Sequence, residues 1–332
     1  MWTRDGDRRN AGLDSHCDAR HQPSSRGRVQ RTVRVPHMAR IAIVGGGNMG
    51  EALMAGLLRA GRQVKDLVVA ERMPERAKYL AEKYSVRVTS VADAAEHAQF
   101  VVIAVKPTDV ESVVSEVAEA ASQAASDSVE QLFVTIAAGV STAFYESRLP
   151  AGSPVVRAMP NAPALVGAGV TAIAPGRFAS AEQLKDVAAL FDCVGGVLTV
   201  AESQLDAVTA VSGSGPAYFF LMVEALVDAA VDSGLHRSVA TNLAVQTMAG
   251  SAAMLLEQID DDRRAASEGG LAAALGVGVD TTAAQLRATV TSPGGTTAAG
   301  LRELERGGLR AAVAQAVEAA KKRSEQLGIT SE

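Results

Sequence analysis

The chain has 332 residues, 48% of them hydrophobic and 21% charged, which gives a globular protein room for about two domains. A formal net charge of -5 argues against nucleic acid or an anionic membrane surface as partner. Cys17 and Cys193 are the only cysteines, which argues against a disulfide framework, leaves no zinc pattern or other metal site to write, and points to the reducing cytoplasm.

Residues 1–37 differ in composition from everything after them. Arg4, Arg8, Arg9, Arg20, Arg26, Arg28, Arg31 and Arg34 lie there with almost no apolar pattern, and the segment reads as a disordered basic tail. It lacks the apolar centre of a secretory signal, although its arginine content overlaps with organellar transit peptides. Met38, directly before the first strand, is an alternative start. No uninterrupted apolar run reaches the length of roughly 18 residues expected of a membrane span.

Ala39 to Val44 is a short apolar strand that ends in Gly45-Gly46-Gly47-Asn48-Met49-Gly50, and Leu53, Leu57 and Leu58 then repeat at helical spacing. Gly45, Gly47 and Gly50 fit the dinucleotide fingerprint: one glycine for the tight turn, one for close approach of a pyrophosphate, one for packing helix on strand. Asn48 and Met49 open the helix beside it. A second strand at Leu67 to Ala70 completes a βαβ unit, and Glu71-Arg72 at its end is where cofactor choice is made. The two side chains argue in opposite directions. Glu71 suits the ribose hydroxyls of NAD, Arg72 the 2′-phosphate of NADP, and the pair puts NADPH modestly ahead with NADH still open.

Further strands run from Phe100 into Val105-Lys106-Pro107 and from Leu132 into Ala137-Ala138-Gly139. Carboxyl ends of strands face the ligand crevice of an open α/β sheet, so Val105, Lys106, Pro107, Ala137 and Gly139 are expected near the nicotinamide half. Lys106 reads equally well as a surface lysine. Val155 to Met159 is one more strand, closed by Pro160-Asn161-Ala162-Pro163, where the Asn161 amide suits a carboxamide or a backbone turn.

After about Glu202 the strands stop. Ser212-Gly213-Ser214-Gly215-Pro216 leads into a helix ending near Ser233, and Ser238 to about Ile259 is another, rich in small residues. Few aromatics and many alanines predict a helical region that completes its core against a second subunit. The boundaries are therefore a basic tail at 1–37, a dinucleotide-binding domain at 38–201 and a helical dimerisation and substrate domain at 202–330. Residues 260–284, with an acidic triplet and a glycine-rich tract, read as a loop. Thr289 to Thr297 follows, with Ser292-Pro293-Gly294-Gly295-Thr296-Thr297 running into a helical pattern. That turn has no ionisable side chain, yet its backbone N–H groups, hydroxyls and helix dipole suit a carboxylate or phosphate as well as an ordinary helix cap. A last helix with Val313 and Val317 follows the break at Gly307-Gly308.

Together GGGNMG at 45–50, AVKP at 104–107, RAMPNAPALVGAG at 157–169, DAVTAVSGSGPAYFF at 206–220 and LRATVTSPGGTTAAGLRELERGGLR at 286–310 resemble the pyrroline-5-carboxylate reductase family, across nearly all of 39–328. The resemblance implies an α/β Rossmann-type N-terminal domain, then an all-α domain that interlocks in a homodimer and assembles further into rings of dimers such as a decamer. It also implies the last step of proline synthesis, with the substrate carboxylate on Ser292, Gly294, Gly295 and Thr296, and Thr297 approaching the ring nitrogen as the catalytic residue. The basic tail and residues 260–284 depart from the family pattern.

A protonated cyclic imine is already electrophilic, so such a site needs orientation more than a strong acid, in agreement with a charge-free turn. A β-hydroxyacid dehydrogenase relative would need a base, commonly a lysine, after the interdomain turn, where this chain reads Ala217-Tyr218-Phe219-Phe220-Leu221. A reductase of another cyclic imine acid stays open on the residues alone. His97 and His236 read as surface residues.

Overall fold

The computed structural model of the protein describes residues 39–123, 130–268 and 282–328. The basic tail and the centre of the 260–284 segment, residues 269–281, lie outside them.

Eight strands form one sheet in the order β3-β2-β1-β4-β5-β6-β7-β8. These are β1 Ile41–Val44, β2 Leu67–Ala70, β3 Arg87–Thr89, β4 Phe100–Ile103, β5 Leu132–Thr135, β6 Val155–Met159, β7 Gly169–Pro175 and β8 Gly195–Thr199. β1 lies between β2 and β4, parallel to both, with Ile43 opposite Val69 on one side and Val102 on the other. Strand order therefore reverses at β1, and the crevice beyond its carboxyl end is where such sheets take ligands. The direction reverses at β7, which runs antiparallel to β6, and β8 runs parallel to β7. The sequence reading missed β3, β7 and β8. β3 spans only three residues, and β7 and β8 begin in glycines that read as turn.

Helices α1 Asn48–Arg59, α2 Pro74–Tyr84, α3 Val91–Ala95, α4 Val110–Gln123, α5 Thr142–Glu146 and α6 Ala181–Asp192 connect the strands. Alternation along β1 divides the core between the two faces of the sheet. Ile41 and Ile43 pack with Leu53, Leu57 and Phe191 from α1 and α6, while Ala42 and Val44 face Val110, Val114 and Phe144 from α4 and α5. Strands buried on both faces account for the continuous apolar runs that mark them in the sequence.

From Glu202 onward the described residues are helical: α7 Leu205–Val208, α8 Gly215–Asp232, α9 Arg237–Glu268, α10 Thr282–Thr289, α11 Thr296–Arg306 and α12 Leu309–Leu327. Between α7 and α8 the chain makes a π-turn, Thr209–Gly213, closed by Ser214 N–H donating to Thr209 O at 2.9 Å. The loop expected at 260–284 is corrected at both ends, since α9 continues to Glu268 and α10 begins at Thr282. Arg263, Arg264, Ala265, Ala266 and Glu268 are good helix formers, and no Pro or Gly interrupts the chain between Ile259 and Gly269.

α8 packs on α9, α9 on α10, and α12 on the π-turn and α7. Much of this region's apolar surface is left open, with Phe219, Phe220 and Leu221 of α8 and Leu243 and Leu256 of α9 all more than half exposed. The stretches Glu202–Asp232 and Arg237–Asp261 are long and apolar enough to cross a membrane by length and composition, although neither is an uninterrupted apolar run.

Candidate active site

The glycine turn after β1 is shaped by contacts that only glycine permits. Gly45 has φ +105°, and a Cβ there would lie 2.8 Å from the Ala104 backbone at the end of β4. At Gly50 a Cβ would come within 2.1 Å of Gly45 O, so α1 can start this close to β1 only without a side chain. Gly47, the N-cap of α1, is different: a Cβ there meets nothing within 4 Å. Two glycines close the turn and the third leaves open space beside the free N–H groups of Asn48 and Met49, a cradle that fits a pyrophosphate at a helix N-terminus.

Side chains from beyond β2 hold the middle of this turn. Gly46 N–H donates to Glu71 Oε2 at 2.9 Å, and Arg76 Nε donates to Gly46 O at 2.7 Å. The second Glu71 oxygen accepts from Met73 N–H at 2.9 Å. Both oxygens of the expected ribose acceptor thus also brace backbone. Arg72 is 73% exposed and pairs through Nη2 with Asp109 Oδ1 at 3.0 Å.

Arg76 also reaches Glu51 in the first turn of α1, where Lys83 Nζ, Tyr84 OH and Tyr79 OH donate to the same carboxylate. Burial opposes the Glu51 charge, but hydrogen bonds from Tyr84, Lys83 and Arg76, with the positive charge of Arg76, bring its pKa from the ordinary 4.5 to about 2. A folded-state pKa below the unfolded one means that this stability is whole above pH 4.5 and drains away as pH falls towards about 2. Acid unfolding should therefore weaken the wild type by on the order of 1–3 kcal/mol more than Glu51→Gln across that window, after allowance for solvent screening. Parallel unfolding curves for the two proteins would refute the assignment.

Val105, Lys106 and Pro107 follow β4, and Ala137 and Gly139 follow β5, all at the carboxyl edge of the sheet. Gly139, at φ +77°, lies against the end of α12: a Cβ there would be 2.9 Å from Gly328 N. Asn161 is buried, with Nδ2 donating to Ser212 O at 3.1 Å and Oδ1 accepting from Val170 N–H at 2.9 Å. Its amide ties the end of β6 to β7 and to the π-turn.

The Ser292–Thr297 turn stands apart from this group, on α10 and α11, whose main packing partners are α9 and α12. Gly294 has φ +70° with open space around it, and Gly295 caps α11 with a Cβ position 2.5 Å from Ser292 Oγ. No acidic residue occupies the first turn of α11, so its dipole is free for an outside anion. Ser292, Thr296 and Thr297 are exposed.

The sequence reading missed the joint between the sheet and the helical region. Glu202 accepts from Thr142 N–H and Thr142 Oγ1, both at 2.7 Å, and pairs with buried Arg157 Nη1 at 3.5 Å. Ser324 on α12 donates to Asp206 Oδ1 on α7 at 2.6 Å. His97 and His236 are exposed, as expected.

Residues 202–327 match the family described as pyrroline-5-carboxylate reductase dimerisation, and residues 40–139 match NADP oxidoreductase, coenzyme F420-dependent. A pyrroline-5-carboxylate reductase of Mycobacterium leprae is 72% identical over 295 residues, covering 89% of this chain and 99% of the relative. One from Corynebacterium melassecola is 41% identical over 88% of this chain and 99% of its own. Among solved structures, a pyrroline-5-carboxylate reductase from Coxiella burnetii aligns with a TM-score of 0.76 at 34% identity, over 88% of this chain and 100% of that one. The Plasmodium falciparum pyrroline carboxylate reductase with NADP bound aligns with a TM-score of 0.71 at 29% identity, over 87% and 98%.

Proposed function

Because the chain belongs to the pyrroline-5-carboxylate reductase family of NAD(P)H-dependent oxidoreductases acting on a C=N bond, we infer that it reduces 1-pyrroline-5-carboxylate to L-proline with NADPH as the preferred donor. The observation that carries the substrate reading is the charge-free helix N-terminus at Ser292–Thr297, which takes a carboxylate without placing a base beside an iminium carbon. Loss of reduced-nicotinamide absorbance on mixing purified protein with 1-pyrroline-5-carboxylate tests it, and no loss with either NADPH or NADH sinks it.

The reduced nicotinamide supplies the hydride. The chain's own part is binding and orientation. Backbone N–H groups at Gly47, Asn48 and Met49 hold the pyrophosphate, while the strand ends at Val105 to Pro107 and Ala137 to Gly139 border the nicotinamide half. Arg72, the exposed cation at the end of β2, receives the 2′-phosphate. At the other turn the substrate carboxylate rests on backbone around Gly294, Gly295 and Thr296 beside the Ser292 hydroxyl, and Thr297 Oγ1 hydrogen-bonds the ring nitrogen. Proximity and alignment then do most of the catalytic work, with Thr297 positioning the imine N–H.

The exposed faces of α8 and α9 support a homodimer that buries them, as in a family whose C-terminal region is a dimerisation domain. Because α11 packs on α12 and not principally on the sheet, the partner chain is what brings the substrate turn and the cofactor crevice together. Rings of dimers extend the same arrangement, and the mass of the particle in solution reports them. A free Cys193 thiol accords with a cytoplasmic setting.

Replacing Gly294 by Val tests the backbone cradle. A β-branched residue at φ +70° strains the turn by about 1–3 kcal/mol, although nothing crowds the site. KM for the substrate should rise roughly ten- to hundred-fold with the NADPH dissociation constant unchanged. Equal loss of both would show that the turn does not serve the substrate alone.

A further inference from the structure

The Arg72–Asp109 ion pair joins two strand ends that are not neighbours. Arg72 follows β2 and Asp109 closes the short 3-10 turn Pro107–Asp109 after β4, so the bridge passes across the end of β1 and its glycine turn. Asp109 is fixed from below. Its N–H donates to Lys106 O at 2.9 Å, its carbonyl accepts from Ser112 Oγ at 3.1 Å, and its side chain is only 24% exposed against 73% for Arg72. Glu71, the other acid at this edge, has each oxygen bonded to a backbone N–H, whereas the Asp109 carboxylate faces the Arg72 guanidinium.

We propose that Asp109 sets the discrimination between NADPH and NADH by competing with the 2′-phosphate for Arg72, an inference that rests on reading Arg72 as the phosphate's partner. The sign follows from charge and geometry. A bridge between single nitrogen and oxygen atoms, with a largely exposed arginine, organises the guanidinium little. A carboxylate beside the same cation repels a dianionic phosphate directly and leaves a ribose hydroxyl almost untouched. Asp109 therefore lowers NADPH affinity and narrows its advantage over NADH.

The test uses the full-length protein without substrate and follows the cofactor's own fluorescence. Asp109→Asn should tighten NADPH about two- to five-fold, the span expected of an exposed ion pair, with NADH unchanged and the gain shrinking as salt is added. In an Arg72→Ala background the same substitution should do nothing. The proposal is overturned if Asp109→Asn alters neither cofactor, alters both alike, or acts equally with and without Arg72, while Arg72→Ala still weakens NADPH selectively. If Arg72→Ala weakens NADPH and NADH equally, the phosphate reading of Arg72 fails first and the proposal with it. Asp109→Ser removes the same charge and repeats the measurement should the Asn variant have a lowered thermal midpoint.

Discussion

Gly50→Ala should lower NADPH affinity roughly a hundred-fold and destabilise the fold by about 1–3 kcal/mol. The added methyl would sit 2.1 Å from Gly45 O and 3.3 Å from Ile43 Cγ2, both rigidly held, so α1 has to retreat from β1. Gly45 is itself held, its N–H donating to Ala70 O at 2.8 Å at the end of β2. A displaced α1 carries the N–H groups of Asn48 and Met49 away from the proposed pyrophosphate site, and losing charge-assisted hydrogen bonds at about 1.5–3 kcal/mol each accounts for a loss of that size. Gly47→Ala is the control from the same motif. With φ -64° and nothing within 4 Å of its Cβ, it should cost only the poorer N-cap, under about 1 kcal/mol, while the methyl occupies the approach to the cofactor. Calorimetry and cofactor titration on both variants separate the two failures. Normal NADPH binding by Gly50→Ala would show that the fingerprint is packing alone.

Glu202→Ala should destabilise the protein by about 2–3 kcal/mol, because a buried arginine loses its carboxylate while Glu202 itself, 29% exposed, is part-solvated. The Arg157 side chain is 7% exposed, and its Nη2 already lacks a partner among the described residues. Losing the carboxylate would strand the remaining charge and leave Thr142 N–H and Oγ1 without their acceptor. Glu202→Gln keeps an acceptor oxygen for Thr142 and should fall between wild type and Ala. Denaturant midpoints decide the matter, and a change under about 1 kcal/mol for Glu202→Ala would mean that Arg157 finds another partner. Position adds a second consequence. Glu202 stands where the sheet gives way to the helical region, so its loss also loosens the orientation of α7 and α12, which hold each other through Asp206 and Ser324. Turnover should then suffer more than cofactor affinity.

What could be read in the chain was whatever is local. Gly45, Gly47 and Gly50 mark the turn because φ, Cβ clearance and helix start are all decided within six residues. Ser292 to Thr297 reads as an anion cradle for the same reason, with Gly294 at positive φ and Gly295 as N-cap. Continuous apolar runs at β1, β2 and β4, and nearly continuous ones at β5 and β6, disclosed strands covered on both faces. Short or glycine-led strands such as β3, β7 and β8 carry no such run, and the polar extension of α9 has the composition of a loop although no Pro or Gly breaks it.

Pairings between distant residues lay beyond the sequence. Arg76 meets Glu51 from 25 positions away and Glu202 meets Thr142 from 60. Nothing in Glu71-Arg72 announces that one will brace Gly46 and the other meet Asp109. A side chain's electrostatic role depends on which opposite charge the fold delivers to it, and that is settled by strand order and helix packing. By itself, then, the sequence determined the glycine turn after β1, the charge-free turn at Ser292–Thr297 and the change from alternating strands to helices, because backbone conformation and hydrophobic periodicity are short-range properties. The tertiary structure alone decided which carboxylate braces the glycine turn, which one pairs with Arg72, and that the helices flanking Ser292–Thr297 pack mainly on other helices, because each is a contact made only when strands and helices far apart in the chain are brought side by side.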